Sequence, residues 1–140
     1  METVKTQITV EANVNASVEK VWKFYNEPKH IMKWNTASEE WHTTKSENDL
    51  KIGGKFFYRM EAKDGSFGFD FEGIYDEIKI NQLISYTLND GRKVKIIFKT
   101  DHKATIIEII FEAESQNSIE MQKGGWQAIL NSFKNYSENN

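Results

Sequence analysis

The sequence predicts an α+β fold in which a curved, seven-stranded antiparallel sheet packs against one long C-terminal helix. Three observations support this prediction: alternating apolar residues recur in short runs, turn dipeptides join several of the runs, and the last segment has helical periodicity. The chain has 140 residues, of which 39% are hydrophobic, and this is the common size of one domain with one core. We therefore expect a single domain over residues 1–140, ordered over about residues 4–136.

The N-terminal part is expected to contain one strand and two short helices. Apolar residues alternate from Val4 to Val14, which is typical of a strand with one buried face. Asn15 or Ser17 can cap a helix that ends near Asn26, and Pro28 suits the first turn of a second helix. Two short helices therefore follow the first strand.

The middle of the chain is expected to be a series of antiparallel hairpins. The predicted strands span residues 39–44, 55–63, 67–80, 83–88, 93–100 and 104–113, with a turn-rich connection at 47–54. Asp64-Gly65 and Asp90-Gly91 favour tight turns, and short connections make successive strands neighbours. Gly68 and Gly73 interrupt the longest strand, where a bulge or bend would curve the sheet.

The C-terminal segment is predicted to be the long helix. Asn117 precedes Glu120 by three residues, the spacing of a capping box, and an apolar helical face follows. Gly124-Gly125 lies inside this face, where each glycine costs about 1 kcal/mol relative to alanine. The pair indicates either space for a ligand or a close approach to the sheet, or else a kink or a late helix start. Only residues 137–140 are expected to be an unstructured tail.

Composition excludes several classes of function. The net charge of −3, from 18 basic and 21 acidic residues, lacks the basic surface that nucleic-acid binding requires. No stretch approaches the roughly 20 apolar residues of a membrane span, and the N-terminus lacks the pattern of a signal peptide, so we expect a cytoplasmic protein. Cysteine is absent, which excludes disulfides and thiolate chemistry. Gly53-Gly54 precedes a strand, so a turn is favoured over a phosphate loop.

Aromatic residues supply the candidate ligand site. Alternation places two aromatic rows on the inner face of neighbouring strands, opposite the apolar face of the last helix. The candidate ligand-binding residues are Trp34, Trp41, Phe56, Tyr58, Met60, Phe69, Phe71, Tyr75, Tyr86, Phe98, Met121, Gly125, Trp126 and Ile129. Such walls suit a flat apolar ligand, although the same side chains could simply fill the core.

Candidate catalytic residues are weak. Arg59, Asp70 and Glu72 lie opposite the aromatic rows, so they are expected to form a cross-strand charge ladder. If a bulge reversed the facing, Asp70 or Glu72 would enter the cavity, where desolvation raises a carboxyl pKa. His42 is the remaining candidate. With His30 and His102 it forms no pair at metal-ligand spacing, so we expect no metal site and solvent-facing roles for most of the histidines.

Four segments carry a resemblance to a known family: KHIMKWN (29–35), DLKIGGKFFYRMEAKDGSFGFDFEG (49–73), ISYTLNDGRKV (84–94) and EMQKGGWQAILNSFKNY (120–136). With the order of predicted elements, they resemble the START-like superfamily, also called birch-pollen-allergen-like, and within it the bacterial branch named for activators of a heat-shock-protein ATPase. The resemblance implies a helix-grip fold with a cavity between sheet and helix. Ser17 and Ser118 stand where prolines are common near helix starts.

The resemblance leaves three functions open. Members of the superfamily bind lipids, hormones or polyketides, some are cyclases, and the branch takes its name from a chaperone-binding domain. The preferred hypothesis is binding of a small apolar molecule without a cofactor. The alternatives are a cyclase, dehydratase or hydrolase that uses the same cavity, and an interaction module with a chaperone as partner.

Overall fold

The computed structural model describes residues 6–140 and confirms the predicted α+β fold, with a curled seven-stranded antiparallel sheet and three helices. The elements are β1 (Gln7–Val14), α1 (Val18–Asn26), α2 (Pro28–Trp34), β2 (Trp41–Asn48), β3 (Lys55–Ala62), β4 (Gly68–Lys79), β5 (Leu83–Leu88), β6 (Lys93–Asp101), β7 (Ala104–Glu112) and α3 (Ile119–Asn139). The strand order is β1-β7-β6-β5-β4-β3-β2, so β1 and β2 are the edges. Val4, the predicted start of β1, lies outside the described residues.

Left-handed backbone conformations mark the turns between strands. Gly65 has φ 78° and Gly91 has φ 90°, which confirms the turns predicted at the two Asp-Gly dipeptides. Gly53, with φ 83°, confirms a turn before β3. The β4–β5 and β6–β7 turns use non-glycine residues instead, Asn81 with φ 64° and His102 with φ 56°. Asparagine and histidine tolerate this conformation better than most residues, but neither position carries a strong turn signal in the sequence.

Two strand predictions were wrong. The second strand runs over Trp41–Asn48, so it takes in the start of the expected 47–54 connection. The bulge expected at Gly68 or Gly73 is absent, because β4 pairs with β3 in continuous register from Gly68 to Ile74. The register shifts of the described sheet lie instead between Thr43 and Lys45 in β2 and between Tyr75 and Glu77 in β4.

Serine hydroxyls begin two of the helices. Ser17 Oγ accepts a hydrogen bond from the Lys20 amide at 3.3 Å, and Ser118 Oγ accepts one from the Met121 amide at 3.1 Å. The two serines that depart from the family pattern are therefore N-caps. The capping box predicted at Asn117 was wrong, because the N-cap is Ser118 and the third helical residue is then Met121, not glutamate or glutamine.

Helix α3 is continuous from Ile119 to Asn139, so the interpretation of Gly124-Gly125 as a late helix start was wrong. The predicted tail at residues 137–140 was also wrong. Ser137 is buried, and the Glu138 carboxylate accepts a hydrogen bond from the Asn15 amide at 2.8 Å. This contact ties the end of the chain to the end of β1.

The core lies between the inner face of the sheet and the three helices. Phe133 of α3 packs against Trp34 of α2 and Tyr25 of α1, with ring centroids 4.9 and 5.1 Å apart. Helix α3 packs mainly along the β1 edge and α2 along the β2 edge. The middle strands therefore face a hollow that the helices only partly cover. Within residues 6–140, no helix combines the length and apolarity needed to cross a membrane.

Candidate ligand-binding cavity

A cavity of about 530 Å³ occupies this hollow. Strands β3, β4 and β5 form one wall, and α3 forms the opposite wall with Trp126, Ile129 and Leu130. The α1–α2 corner closes one end with Tyr25 and Trp34. The volume is within the range of about 300–1,000 Å³ that is usual for small-molecule sites.

Aromatic rings hold the walls apart by packing against one another. Trp126 stacks on Phe111 with centroids 4.1 Å apart and meets Phe71 edge-on at 6.0 Å. On the opposite wall, Phe56 contacts Tyr86 at 4.6 Å. Rings that are fixed by such neighbours keep defined orientations, so the walls cannot readily collapse into the cavity.

Four tyrosines, Tyr25, Tyr58, Tyr75 and Tyr86, are among the residues that line the cavity. Burial raises the pKa of each of these hydroxyls, and for Tyr25, Tyr58 and Tyr86 the neighbouring tyrosines raise the pKa further. The Tyr75 hydroxyl also accepts a hydrogen bond from Asn48 Nδ2 at 3.4 Å. All four hydroxyls are therefore neutral at physiological pH and can hydrogen-bond an uncharged polar group.

Two buried asparagines lie at the α1–α2 end of the cavity. Asn26 and Asn35 are each 7% exposed and line the cavity. The Asn26 side chain donates a hydrogen bond to the Trp22 carbonyl at 2.8 Å. The side-chain nitrogen of Asn35 has no hydrogen-bond partner among residues 6–140.

Polar residues surround the other end, between the β5–β6 turn and the β7–α3 loop. Gln122 Oε1 accepts a hydrogen bond from the Glu114 amide at 2.9 Å, and its Nε2 donates to the Asn117 carbonyl at 2.9 Å. Burial by itself raises the pKa of Glu114. Hydrogen bonds from the Asn117 and Gln116 amides and the positive charge of Arg92 outweigh this effect, so the pKa is lowered. Since Gln116 and Asn117 are exposed, this end forms the mouth.

The predicted wall residues line the cavity with four exceptions, Trp41, Phe98, Met121 and Gly125. Trp41 is half-buried and packs against the ring of Phe67 at 5.9 Å. Phe98 lies in the core, and Met121 is 65% exposed. A Cβ added at Gly125 would meet no atom within 4 Å, so a close approach to the sheet does not explain this glycine.

Several lining residues were missed by the sequence analysis. They are Tyr25, Asn26, Asn35, Ile84, Arg92, Ile96, Ile109, Glu114, Gln116, Asn117 and Gln122. The isoleucines continue the period-two pattern of β5, β6 and β7, which could have identified them. The polar residues lie in turns or at helix ends, where no periodicity assigns a face.

The weak catalytic candidates lie outside the cavity. The Arg59 guanidinium donates hydrogen bonds to Glu61 Oε2 and Asp70 Oδ1, both at 3.0 Å, as the expected charge ladder requires. Glu72 is half-buried on the same outer side of the sheet. His42 lies on the edge strand β2. The alternative in which Asp70 or Glu72 turns into the cavity was wrong, because the bulge that would reverse their facing does not form.

The histidines differ in environment. His102 is 96% exposed at its side chain, as expected, whereas that of His30 is 15% exposed. His30 stacks on Phe24 with centroids 4.1 Å apart, and its Nδ1 lies 2.6 Å from the Tyr136 hydroxyl in a hydrogen bond. Burial lowers the pKa of His30. No group of three His, Asp or Glu side chains within residues 6–140 is placed to hold a metal ion.

Comparisons with known proteins agree on one family. The model of the family described as "Activator of Hsp90 ATPase homolog 1-like protein" matches residues 15–138. A solved protein from Cytophaga hutchinsonii is 57% identical, with a TM-score of 0.83 over 95% of this chain and 92% of its own. An AHSA1-like protein from Aeromonas hydrophila is 40% identical, with a TM-score of 0.90 over 96% and 93% of the two chains. No curated protein matches significantly.

Proposed function

The chain belongs to the family of Activator of Hsp90 ATPase homolog 1-like proteins, and we propose that it binds a small, largely apolar molecule in the cavity between its sheet and α3. Proteins with this fold commonly bind ligands or partners. The observation that supports the proposal is the cavity itself, about 530 Å³ in volume and walled by aromatic rings. Protein interiors are normally close-packed, because side chains that fill such a volume gain dispersion energy. A volume left open therefore favours a role in holding a ligand.

The chemistry of the walls favours a flat, uncharged ligand. Rings such as Phe71, Tyr86 and Trp126 offer faces and edges on which an aromatic or polyketide-like molecule stacks. The neutral tyrosine hydroxyls add hydrogen bonds but do not compensate a buried charge. A fatty acid chain also fits an apolar cavity of this size, but it gains less from oriented rings. We therefore rank flat aromatic molecules above lipids.

Amide NMR spectra recorded during titration with fatty acids, sterols and flat polyphenols test the proposal. We expect saturable shifts at Phe71, Tyr86 and Trp126 with at least one class, and none at the exposed His102. An Ile129→Phe variant adds a ring to the cavity wall and should weaken binding at least about tenfold, because it occupies the ligand's volume. The matched control is Met121→Phe, which adds the same ring at a position that is 65% exposed.

A well-folded spectrum that no class of compound shifts would contradict the proposal. Equal binding by the wild type and Ile129→Phe would place the ligand elsewhere.

A second candidate function is contact with a chaperone, which the family description suggests. The observation that favours it is an exposed aromatic cluster beside the cavity, formed by Trp41, Phe67 and Phe69. Phe67 is 63% exposed and Phe69 is 39% exposed, and both pack against Trp41 with ring centroids 5.9 Å apart. Exposed aromatic groups of this kind are common at protein interfaces. Titration with an Hsp90-type chaperone should then shift these residues and leave Tyr86 unchanged.

A further inference from the structure

Helix α3 is held unevenly along its length, and its second part is firmly anchored. Trp126 stacks on Phe111 with ring centroids 4.1 Å apart. Farther along, Leu130 and Phe133 are buried in the core, and the Glu138 carboxylate bonds to the end of β1. Because these side chains are closely packed or hydrogen-bonded, the helix cannot move from Trp126 onward without breaking up the core.

The beginning of α3 lacks such anchors. Residues 119–125 make up about two turns, and Gln122 is the one buried residue among them. Ile119 is 44% exposed and Met121 is 65% exposed, so the apolar side chains of these turns contribute little to the core. A segment with few buried apolar contacts opens locally at a lower free-energy cost than the core does.

The side chain of Gln122 fastens these turns to the β7–α3 loop at the mouth of the cavity. Its Nε2 donates hydrogen bonds to the Glu114 and Asn117 carbonyls at 3.1 and 2.9 Å. Its Oε1 accepts one from the Glu114 amide at 2.9 Å. All three residues line the cavity, so a movement that breaks these bonds also moves part of the cavity wall. Water can replace such bonds at the mouth, which keeps their net contribution small.

Gly124-Gly125 lies at the boundary between the loosely held and the anchored parts of α3. Neither glycine has a positive φ, and a Cβ added at either would meet no atom within 4 Å. Neither the backbone conformation nor the packing therefore requires glycine here. Glycine does weaken a helix interior and gives the backbone its greatest freedom. The hinges of lids are residues that absorb changes in φ and ψ, and this pair suits that role.

We propose that residues 114–125 form a portal that opens at Gly124-Gly125 to admit the ligand and closes when Gln122 re-forms its hydrogen bonds. The inference rests on the proposed function of the cavity and concerns how the ligand enters it. The opposite end of the cavity is fixed, since the Tyr25 ring packs 5.0 Å from that of Trp34. A bound ligand leaves through the same opening, so the portal sets the rates of both association and release.

Stopped-flow fluorescence with N-phenyl-1-naphthylamine, an uncharged aromatic probe that brightens in apolar surroundings, tests the inference. Each replacement of glycine by alanine shifts a helix equilibrium about fivefold. The double variant Gly124→Ala/Gly125→Ala should therefore slow both association and release by at least about tenfold. Its Kd should stay nearly unchanged, because the closed portal is stabilised equally with and without the probe. Gln122→Met removes the hydrogen bonds to the loop and should accelerate both rates at least about fivefold.

Two control variants separate the portal from other effects. Asn131→Ala/Asn135→Ala raises helix propensity by a comparable amount at two exposed positions in the anchored part of α3. It should leave both rates unchanged. Ile129→Phe, which occupies volume in the cavity, should weaken binding of the probe and so verify that the fluorescence reports on the cavity.

A second measurement needs no ligand. In amide hydrogen exchange of the free protein, residues 123–125 should exchange at least about tenfold faster than Leu130 and Phe133, and the double glycine variant should slow them selectively. Equally slow exchange in both parts of α3, unchanged probe rates in the glycine variant, or equal slowing in the asparagine control would each overturn the inference while leaving the cavity as a binding site. If the probe does not bind the wild type, binding of uncharged aromatic molecules in the cavity fails, and the inference fails with it.

Discussion

Replacement of Gly124 by alanine should stabilise the protein, although the position lies in the middle of its longest helix. Gly124 is exposed and lies inside α3. Its φ is not positive, so alanine can adopt the same backbone conformation. A Cβ added there would meet no atom within 4 Å. The substitution therefore removes the entropic cost of glycine in a helix interior, about 1 kcal/mol, and introduces no strain.

The expected change in melting temperature follows from the length of the chain. Unfolding entropy is about 2.1 cal/mol/K per residue, which gives about 0.3 kcal/mol/K for this protein. A gain of about 1 kcal/mol then raises Tm by about 3 °C. Circular dichroism during heating measures the shift, and urea denaturation should give a higher midpoint with an unchanged m-value.

A matched substitution at Gly73 should have the opposite effect. A Cβ there would lie 2.5 Å from the Thr87 carbonyl oxygen and 3.1 Å from the Phe56 ring, so alanine forces β4 away from its neighbours. Overpacking of this kind costs about 1–3 kcal/mol. If Gly124→Ala lowered Tm, or if Gly73→Ala were neutral, the reasoning from open space and close contact would be refuted.

Two further predictions concern charged groups. Burial lowers the pKa of His30 from its ordinary value of 6.5. The Glu27 carboxylate raises this pKa, and the positive charges of Lys29 and Lys23 offset part of that increase. Below that value the unfolded chain binds more protons than the folded one, so the His30 contribution to stability is full above pH 6.5 and is lost as the pH falls. Urea denaturation between about pH 7.5 and pH 5.5 should show a weaker pH dependence in His30→Gln, and identical slopes would contradict this. Arg59→Met removes an exposed charge ladder, so stability and ligand binding should change little, and a clearly lowered urea midpoint would show that the ladder matters more.

Local patterns predicted most of the fold because they act over a few residues. The Asp-Gly turns at Gly65 and Gly91 and the alternation in β7 are each complete within their own segment. The second strand lacked such a signal, since it is a largely polar edge strand held by pairing with β3. The helical end of the chain was missed for a related reason. The Glu138 contact joins it to Asn15, 123 residues away, and no local pattern records that distance.

The candidate site likewise contains residues that a local sequence pattern predicts and residues that it does not. Period-two alternation placed Phe56, Tyr58 and Met60 on one face, and all three line the cavity. Asn35 has no comparable signal, because its position depends on how α2 turns against β2 through the contact with Thr43. The apolar residues that set the shape of the cavity were thus predictable, whereas the polar residues at its inner end required the tertiary structure.

The position of the helices explains why a cavity remains in a sequence so rich in large side chains. Helix α3 approaches the sheet along β1, and α2 approaches it along β2, so the sheet is closed by helices at its two edges. Over the middle strands, side chains span the gap instead, as Trp126 does between Phe111 and Phe71. The width of the cavity is therefore set by ring contacts. A ligand that inserts a flat ring extends a stack that already exists, whereas a bulky, non-planar molecule must break one.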